Sequence, residues 1–97
     1  MRQYIGQSIK PSEDVVLVVE AALSTLGADK TKKARVYGKQ GIPEYWIVAI
    51  ERRELIVHRQ PDTDTGGYAD MQTYTESQTV SPLARPDTVI LVADLIA

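Results

Sequence analysis

Several residue types that define common protein classes are scarce or missing in this chain. It contains no cysteine, which excludes a disulfide scaffold and thiolate metal sites and fits a reducing compartment. Its single histidine, His58, excludes a multi-histidine zinc centre within one chain. It also has neither a dinucleotide fingerprint nor a catalytic triad, so nothing in the sequence supports a redox or acyl-transfer enzyme.

Long apolar runs and a net positive charge are missing too. No segment approaches the roughly 20 apolar residues that span a bilayer, and residues 1–14 lack the apolar core of a secretory signal. We therefore expect a cytoplasmic protein. The formal net charge is -2, so no global positive field attracts nucleic acid, and any basic surface must be local.

What is present predicts one small α/β (α+β) domain. The 97 residues, 43% of them hydrophobic, suffice for a single modest core. Strand and helix patterns alternate and then give way to further strands, which indicates a mixed sheet with one main helix. We expect a loose arm over residues 1–13 and the core over residues 14–97.

The first strong pattern is the apolar run Val15–Ala22. Its sequence, VVLVVEAA, is rich in β-branched residues and predicts a central strand buried on both faces. Glu20 interrupts the run, and a buried carboxylate is costly unless it is paired, protonated or bound to a cation. Glu20 is therefore either a functional group or a residue at which the strand reaches the surface.

A basic helix follows this strand. Gly41 and Pro43 end it, so we expect a helix over residues 29–40 in which Lys33 and Tyr37 share one face. Its cations form either a solvated face or a surface for the phosphates of a nucleic acid backbone. These cations are Lys30, Lys32, Lys33, Arg35 and Lys39.

Asp29 and Lys33 stand one helical turn apart. They form either an exposed ion pair, worth a few tenths of a kcal/mol, or an arrangement in which Asp29 steers Lys33 towards Glu20.

The rest of the chain predicts a supporting sheet. Glu44–Ile50 is a second strong strand, Leu55–Gln60 is its hairpin partner, and Tyr68–Thr75 is an exposed strand. A loop with a short extended piece covers residues 77–86. Residues 87–97 predict a strand or apolar packing, followed by the start of a helix.

The order and spacing of particular residues resemble a known family. The match extends from about Pro11 onward and is carried by Glu13-Asp14, Glu20, Ser24-Thr25-Leu26, Asp29, Lys33, Tyr37, the run GIPEYWIV over residues 41–48, and Ser81-Pro82-Leu83. This pattern is similar to that of the Uma2 (Uma-two) family of restriction-endonuclease-like proteins in the PD-(D/E)xK superfamily.

The resemblance implies a restriction-endonuclease-like fold and a metal-dependent nuclease that hydrolyses phosphodiesters in DNA. In that superfamily two acidic residues bind Mg²⁺ (or Mn²⁺), and a lysine orients or activates the attacking water. By position, Glu20 would be a catalytic and metal-binding acid. The usual strand lysine is Ala22 here, so Lys33 would be the catalytic lysine. The supporting residues would be Asp29, Ser24 and Tyr37, and the nucleic-acid-binding residues Lys30, Lys32 and Arg35.

The chain also departs from the family's pattern. The first metal-binding Asp and a helical acid belong upstream of the matching region, and an Asp that often follows the Trp-Ile-Val strand is replaced by Ala49. We therefore expect the C-terminal half of a nuclease-like domain, whose activity as this fragment is open.

A second interpretation is a non-catalytic structural or interaction fragment. A strand as apolar as Val15–Val19 needs neighbours, and an open sheet edge favours pairing with another chain. A homodimer would cover such an edge.

Overall fold

The computed structural model describes residues 15–23 and 28–96; the side chains of residues 28–31 lie outside that description. In chain order the elements are β1 (Val18–Ala22), α1 (Ala28–Lys39), β2 (Glu44–Ala49), β3 (Glu54–Pro61), β4 (Tyr68–Thr75), β5 (Thr79–Val80), β6 (Ile90–Leu91) and α2 (Val92–Ile96). The expected loose arm over residues 1–13 falls outside the described residues. No helix within the described ranges is long and apolar enough to cross a membrane.

Over the described residues, the main sheet has four strands in the order β1-β2-β3-β4, and β5 and β6 form a small second sheet. Strand β1 runs parallel to β2, whereas β2, β3 and β4 form an antiparallel meander. Parallel neighbours need a crossover connection, which α1 supplies. The expectation of an α+β domain with a mixed sheet and one main helix is confirmed, and this architecture is consistent with a restriction-endonuclease-like fold.

Alternation along the strands builds two cores, one on each face of the sheet. The face towards α1 buries Val18, Ile42, Tyr45, Ile47 and Ile56, with Ala34 and Tyr37 packed against them. The opposite face buries Val19, Trp46, Val48, Leu55, Val57, Val80 and Val92. All of β2 is buried because it is covered on both faces and paired along both edges.

The expectation that Val15–Ala22 forms one strand is wrong at its start. Strand β1 begins at Val18, and within residues 15–23 and 28–96 it is paired with β2. Val18 and Val19 are buried, on opposite faces. An apolar run indicates that both faces of a strand are covered. Whether the strand has neighbouring strands on both sides is a separate property.

Glycines set the end of α1 and its distance from the sheet. Gly41 has φ 78°, and its amide donates to the carbonyl of Gly38 at 3.0 Å, as expected for a glycine that ends a helix. Gly38 also packs on the loop between β3 and β4, where a Cβ would lie 2.6 Å from the Gly67 nitrogen. The Gly67 amide donates to the carbonyl of Arg35 at 3.3 Å, so helix and loop meet backbone to backbone.

Candidate active site at the end of the first strand

Glu20 lies on the face of β1 that α1 covers. Its Cα pairs with that of Ile47 in β2, and Val18 on the same face is buried. The Glu20 side chain is 12% exposed, whereas the next residue, Ala21, points to solvent. Glu20 is therefore placed beneath the helix at the margin of the sheet, where a nearly buried carboxylate needs donors.

Three donors from two elements surround this carboxylate. The Tyr37 hydroxyl donates to Oε2 at 2.9 Å, and the Tyr45 hydroxyl donates to Oε1 at 3.0 Å. The Lys33 Nζ stands 3.4 Å from the same Oε1. Lys33 and Tyr37 are four residues apart, so one face of α1 presents both. The structure thus brings together three residues that the sequence placed in one site, Glu20, Lys33 and Tyr37, and adds Tyr45.

Both tyrosine hydroxyls remain protonated at neutral pH. Burial, the hydrogen bond to Glu20 and the charge of Glu20 raise the pKa of Tyr37 from 10.0 to about 12. Burial, and then the charge of Glu20 and the hydrogen bond to it, raise the pKa of Tyr45 further. Each phenol is therefore a fixed donor, and the carboxylate of Glu20 is the acceptor.

Tyr45 sits within an aromatic cluster on the helix face. Its ring centroid lies 4.9 Å from that of Tyr37, 5.1 Å from that of His58 and 6.4 Å from that of Tyr68. His58 Nδ1 lies 3.0 Å from the Tyr45 carbonyl oxygen, and the Tyr68 hydroxyl donates to the carbonyl of Ile42 at 2.8 Å. The three ring contacts fix the ring whose hydroxyl reaches Glu20.

Among the described residues, the contacts of Glu20 leave room for one cation contact. A carboxylate offers about four lone-pair positions. Within ranges 15–23 and 28–96, the Tyr37, Tyr45 and Lys33 contacts use three, which leaves one on Oε2. Glu20 therefore fits the part of a single carboxylate ligand to Mg²⁺, an ion that keeps several waters when bound. Among the residues that the structure describes, no group of three or more His, Cys, Asp or Glu side chains could hold a metal ion.

Comparison with known proteins assigns the chain to a family. Residues 3–93 match the model of the Uma2 family, described as "Putative restriction endonuclease". The chain belongs to the Uma2 family. Searches of curated proteins and of solved structures return no significant match. Membership confirms the resemblance seen in the sequence and supports a nuclease-like domain.

The other expected site residues of this Uma2 domain lie on or beside α1. Lys32 and Arg35 are exposed on the helix. The side chains of Asp29 and Lys30 lie outside the described residues, and so does Ser24. The two interpretations of the Asp29–Lys33 spacing therefore stay open, although Lys33 reaches Glu20 directly.

A second carboxylate of the Uma2 domain, Glu44, lies on the opposite face of the sheet. It is buried and accepts hydrogen bonds at 2.8 Å from Trp46 Nε1, Arg59 Nε and the Leu83 amide. Arg59 also donates to the carbonyl of Ser81 at 2.7 Å. This network fastens the segment after β5 to the sheet, so the acidic residue of the EYW motif has a structural role.

Sequence reasoning missed the parts played by Tyr45 and Glu44. It named both only as members of the strand over residues 44–50 and of the run over residues 41–48, without partners. A signal for Tyr45 did exist. In two paired parallel strands, side chains on the same face lie beside one another, so a β2 residue on the face of Glu20 could be expected to contact it. No comparable signal existed for Glu44, since its partners Arg59 and Leu83 are distant in sequence.

Proposed function

We propose that this Uma2 domain carries a metal-dependent phosphodiester hydrolase centre that acts on DNA. Glu20 is its catalytic, metal-ligating carboxylate and Lys33 its catalytic lysine. The observation that carries the proposal is the convergence of Glu20 from β1 and Lys33 from α1, with Nζ 3.4 Å from Oε1. Tyr37 and Tyr45, whose pKa values are raised, contact the same carboxylate. A cluster of this kind in a chain of nuclease-family membership favours function over a chance ion pair.

The chemistry divides between the cation and the lysine. A divalent ion bound at Glu20 would neutralise charge on the phosphate oxygens and lower the pKa of a bound water. Lys33 is 53% exposed, so its ammonium can turn from Glu20 towards a phosphate oxygen or an attacking water. While Lys33 turns away, the hydroxyls of Tyr37 and Tyr45 hold the carboxylate of Glu20 in place.

We propose that the site needs a further acidic ligand. The resemblance implies two acids, whereas the contacts of Glu20 within the described residues are with Tyr37, Tyr45 and Lys33. The second carboxylate then comes from residues outside ranges 15–23 and 28–96 or from a second chain. A chain that lacks this ligand would bind DNA without cleaving it.

We propose that exposed cations of α1 contact the DNA backbone near this centre. Lys32 and Arg35 are exposed on the helix that carries Lys33; Lys30 is assigned with them from its position in the helix. Such contacts contribute affinity without sequence preference. We propose a cytoplasmic location, as expected from a sequence that lacks cysteine, a long apolar run and an apolar signal core.

Nicking of supercoiled plasmid in Mg²⁺ or Mn²⁺ tests the proposal. The wild-type protein should nick the plasmid, and Glu20→Gln should abolish nicking because the metal ligand is lost. Tyr68→Phe is the matched control, since that hydroxyl belongs to the same aromatic cluster but donates to Ile42. Equal nicking by wild-type and Glu20→Gln protein would refute the assignment of Glu20.

A second candidate is a non-catalytic module that self-associates through its sheet. Strand β4 has one strand neighbour, β3, among the described residues. An edge of this kind pairs readily with another chain. Sedimentation equilibrium decides the matter: a stable dimer that never cleaves DNA supports this candidate, and a monomer at all concentrations excludes it.

A further inference from the structure

The hydroxyl of Tyr45 and the ammonium of Lys33 contact the same oxygen of Glu20 under very different constraints. Tyr45 is 1% exposed and its ring is packed by those of Tyr37, His58 and Tyr68. Its hydroxyl therefore has little freedom to move. Because it lies 3.0 Å from Oε1, it fixes where that oxygen stands.

Lys33 is held far less firmly. Its side chain is 53% exposed and its Nζ stands 3.4 Å from Oε1, longer than the usual charge-assisted hydrogen bond. Because the ammonium is half exposed, solvent screens its attraction to Glu20. Lys33 can thus leave Glu20 at little cost, provided that other groups keep the carboxylate in place.

We infer that Tyr45 is the positioning residue of the Glu20 carboxylate, assisted by Tyr37, and that this arrangement frees Lys33 to engage the substrate. The role of Lys33 towards the substrate rests on the proposed function. The positioning of the Glu20 carboxylate by Tyr45 does not depend on that function. Tyr45 and Tyr37 hold the two oxygens separately, Oε1 from β2 and Oε2 from α1, so the carboxylate bridges the helix and the sheet.

Tyr45→Phe tests the inference because it deletes the hydroxyl and keeps the ring. Tyr68→Phe is the matched control, since it deletes a hydroxyl of the same cluster that donates to Ile42. Lys33→Met is the third variant and removes the ammonium. Two readouts serve: the Glu20 side-chain rotamer populations from NMR couplings in metal-free protein, and the Mn²⁺ affinity measured by electron paramagnetic resonance.

We expect a single Glu20 rotamer in the wild type, Tyr68→Phe and Lys33→Met proteins, and averaged rotamers in Tyr45→Phe. Mn²⁺ binding should weaken about 10-fold or more in Tyr45→Phe, as when hydrogen-bonding partners of a metal ligand are lost. It should stay unchanged in Tyr68→Phe.

A single rotamer in Tyr45→Phe would overturn the inference whatever the metal affinities. Averaging in Lys33→Met with a fixed rotamer in Tyr45→Phe would assign the positioning to the lysine and overturn it as well. If Tyr45→Phe averages the rotamers but no variant, including the wild type, binds Mn²⁺, the positioning role stands and the proposed hydrolase function fails.

Discussion

At the scale of single residues, a nearly buried carboxylate is stabilised by two phenols and one lysine. Glu20 would be costly at 12% exposure without donors, and Tyr37, Tyr45 and Lys33 supply them. The same contacts act back on the phenols, because a hydroxyl that donates to a carboxylate loses its proton less readily. Tyrosine titration therefore reports on the candidate site without any nuclease assay.

Glu20→Gln should lower the pKa of Tyr37. The pKa is raised to about 12 by burial first, and then by the hydrogen bond and the charge of Glu20. Removing the charge should bring the pKa part of the way back towards 10.0 and leave the contribution of burial in place. The phenolate absorbance against pH measures this, and Tyr68 is the internal control because Glu20 is not among the causes that raise its pKa. An unchanged tyrosine titration in Glu20→Gln would contradict the hydrogen bonds described here.

The raised pKa of Tyr37 also has a consequence for stability. Its folded-state pKa lies above the ordinary value of 10.0, so the stabilisation is fully present below pH 10 and is lost as the pH rises through about 12. Alkaline unfolding over that window should accordingly be less steep in Tyr37→Phe than in the wild type.

Glu44→Gln should destabilise the fold by about 3 kcal/mol or more, because it leaves Arg59 partly buried without its negative partner. Urea unfolding measures the free energy. Glu51→Gln is the matched control: Glu51 is exposed in the turn between β2 and β3, and its substitution should change the free energy by less than about 0.5 kcal/mol. Equal stability of the two variants would show that the Glu44 network contributes little.

At the scale of elements, the position of α1 decides whether the site exists. The helix carries Lys33 and Tyr37, while Glu20 and Tyr45 belong to the sheet. The contact between Gly38 and the β3–β4 loop sets the spacing between the two layers. A side chain at position 38 would push the helix away from the sheet.

Gly38→Ala separates this packing effect from helix propensity. Propensity alone predicts a gain of about 1 kcal/mol for alanine over glycine inside a helix. The new Cβ would meet the Gly67 carbonyl oxygen and lie 2.6 Å from its carbon, so we expect a net loss of roughly 1–3 kcal/mol. Thermal or urea unfolding beside the exposed-site control Lys39→Ala measures it, and a stabilised Gly38→Ala protein would refute the close approach.

The exposed cations of α1 make a separate prediction about DNA affinity. If Lys32 and Arg35 each contact a phosphate, alanine at either position should reduce the slope of log affinity against log salt by about 1. Binding titrations at several salt concentrations measure the slope. The matched control is Arg52→Ala. Arg52 is exposed in the turn between β2 and β3, and its substitution should leave the slope unchanged. Equal slopes for all variants would remove α1 from the DNA surface.

The sequence predicts most elements because their signals are local. The helix expected over residues 29–40 is found at Ala28–Lys39, and Tyr68–Thr75 is found as expected, since periodicity, Gly41 and flanking turns mark them. The apolar run predicts that both faces of β1 are covered, and Val18 and Val19 are buried. Which elements cover the two faces could not be predicted in this way, because a run of apolar residues does not specify them.

At the scale of the whole molecule, one sheet separates two carboxylates with different surroundings. Glu20 lies on the helix face among donors that leave it partly accessible, whereas Glu44 on the opposite face is fully buried and accepts three hydrogen bonds. Strand alternation predicts which face of the sheet each residue occupies. The partners that it meets there depend on the tertiary fold. For this reason the resemblance could locate Glu20 and Lys33, while Tyr45 and the Glu44 network emerged only from the fold.

The most direct test of the central claim is a double-mutant cycle on the DNA-cleavage rate. Glu20→Gln, Lys33→Met and the double variant are compared with the wild type in Mg²⁺ or Mn²⁺. If Glu20 and Lys33 act as one site, each single substitution should abolish most of the rate, and the double variant should be no slower than either, since residues that act as a unit are non-additive. Wild-type rates in both single variants, or losses that multiply in the double variant, would contradict a shared site.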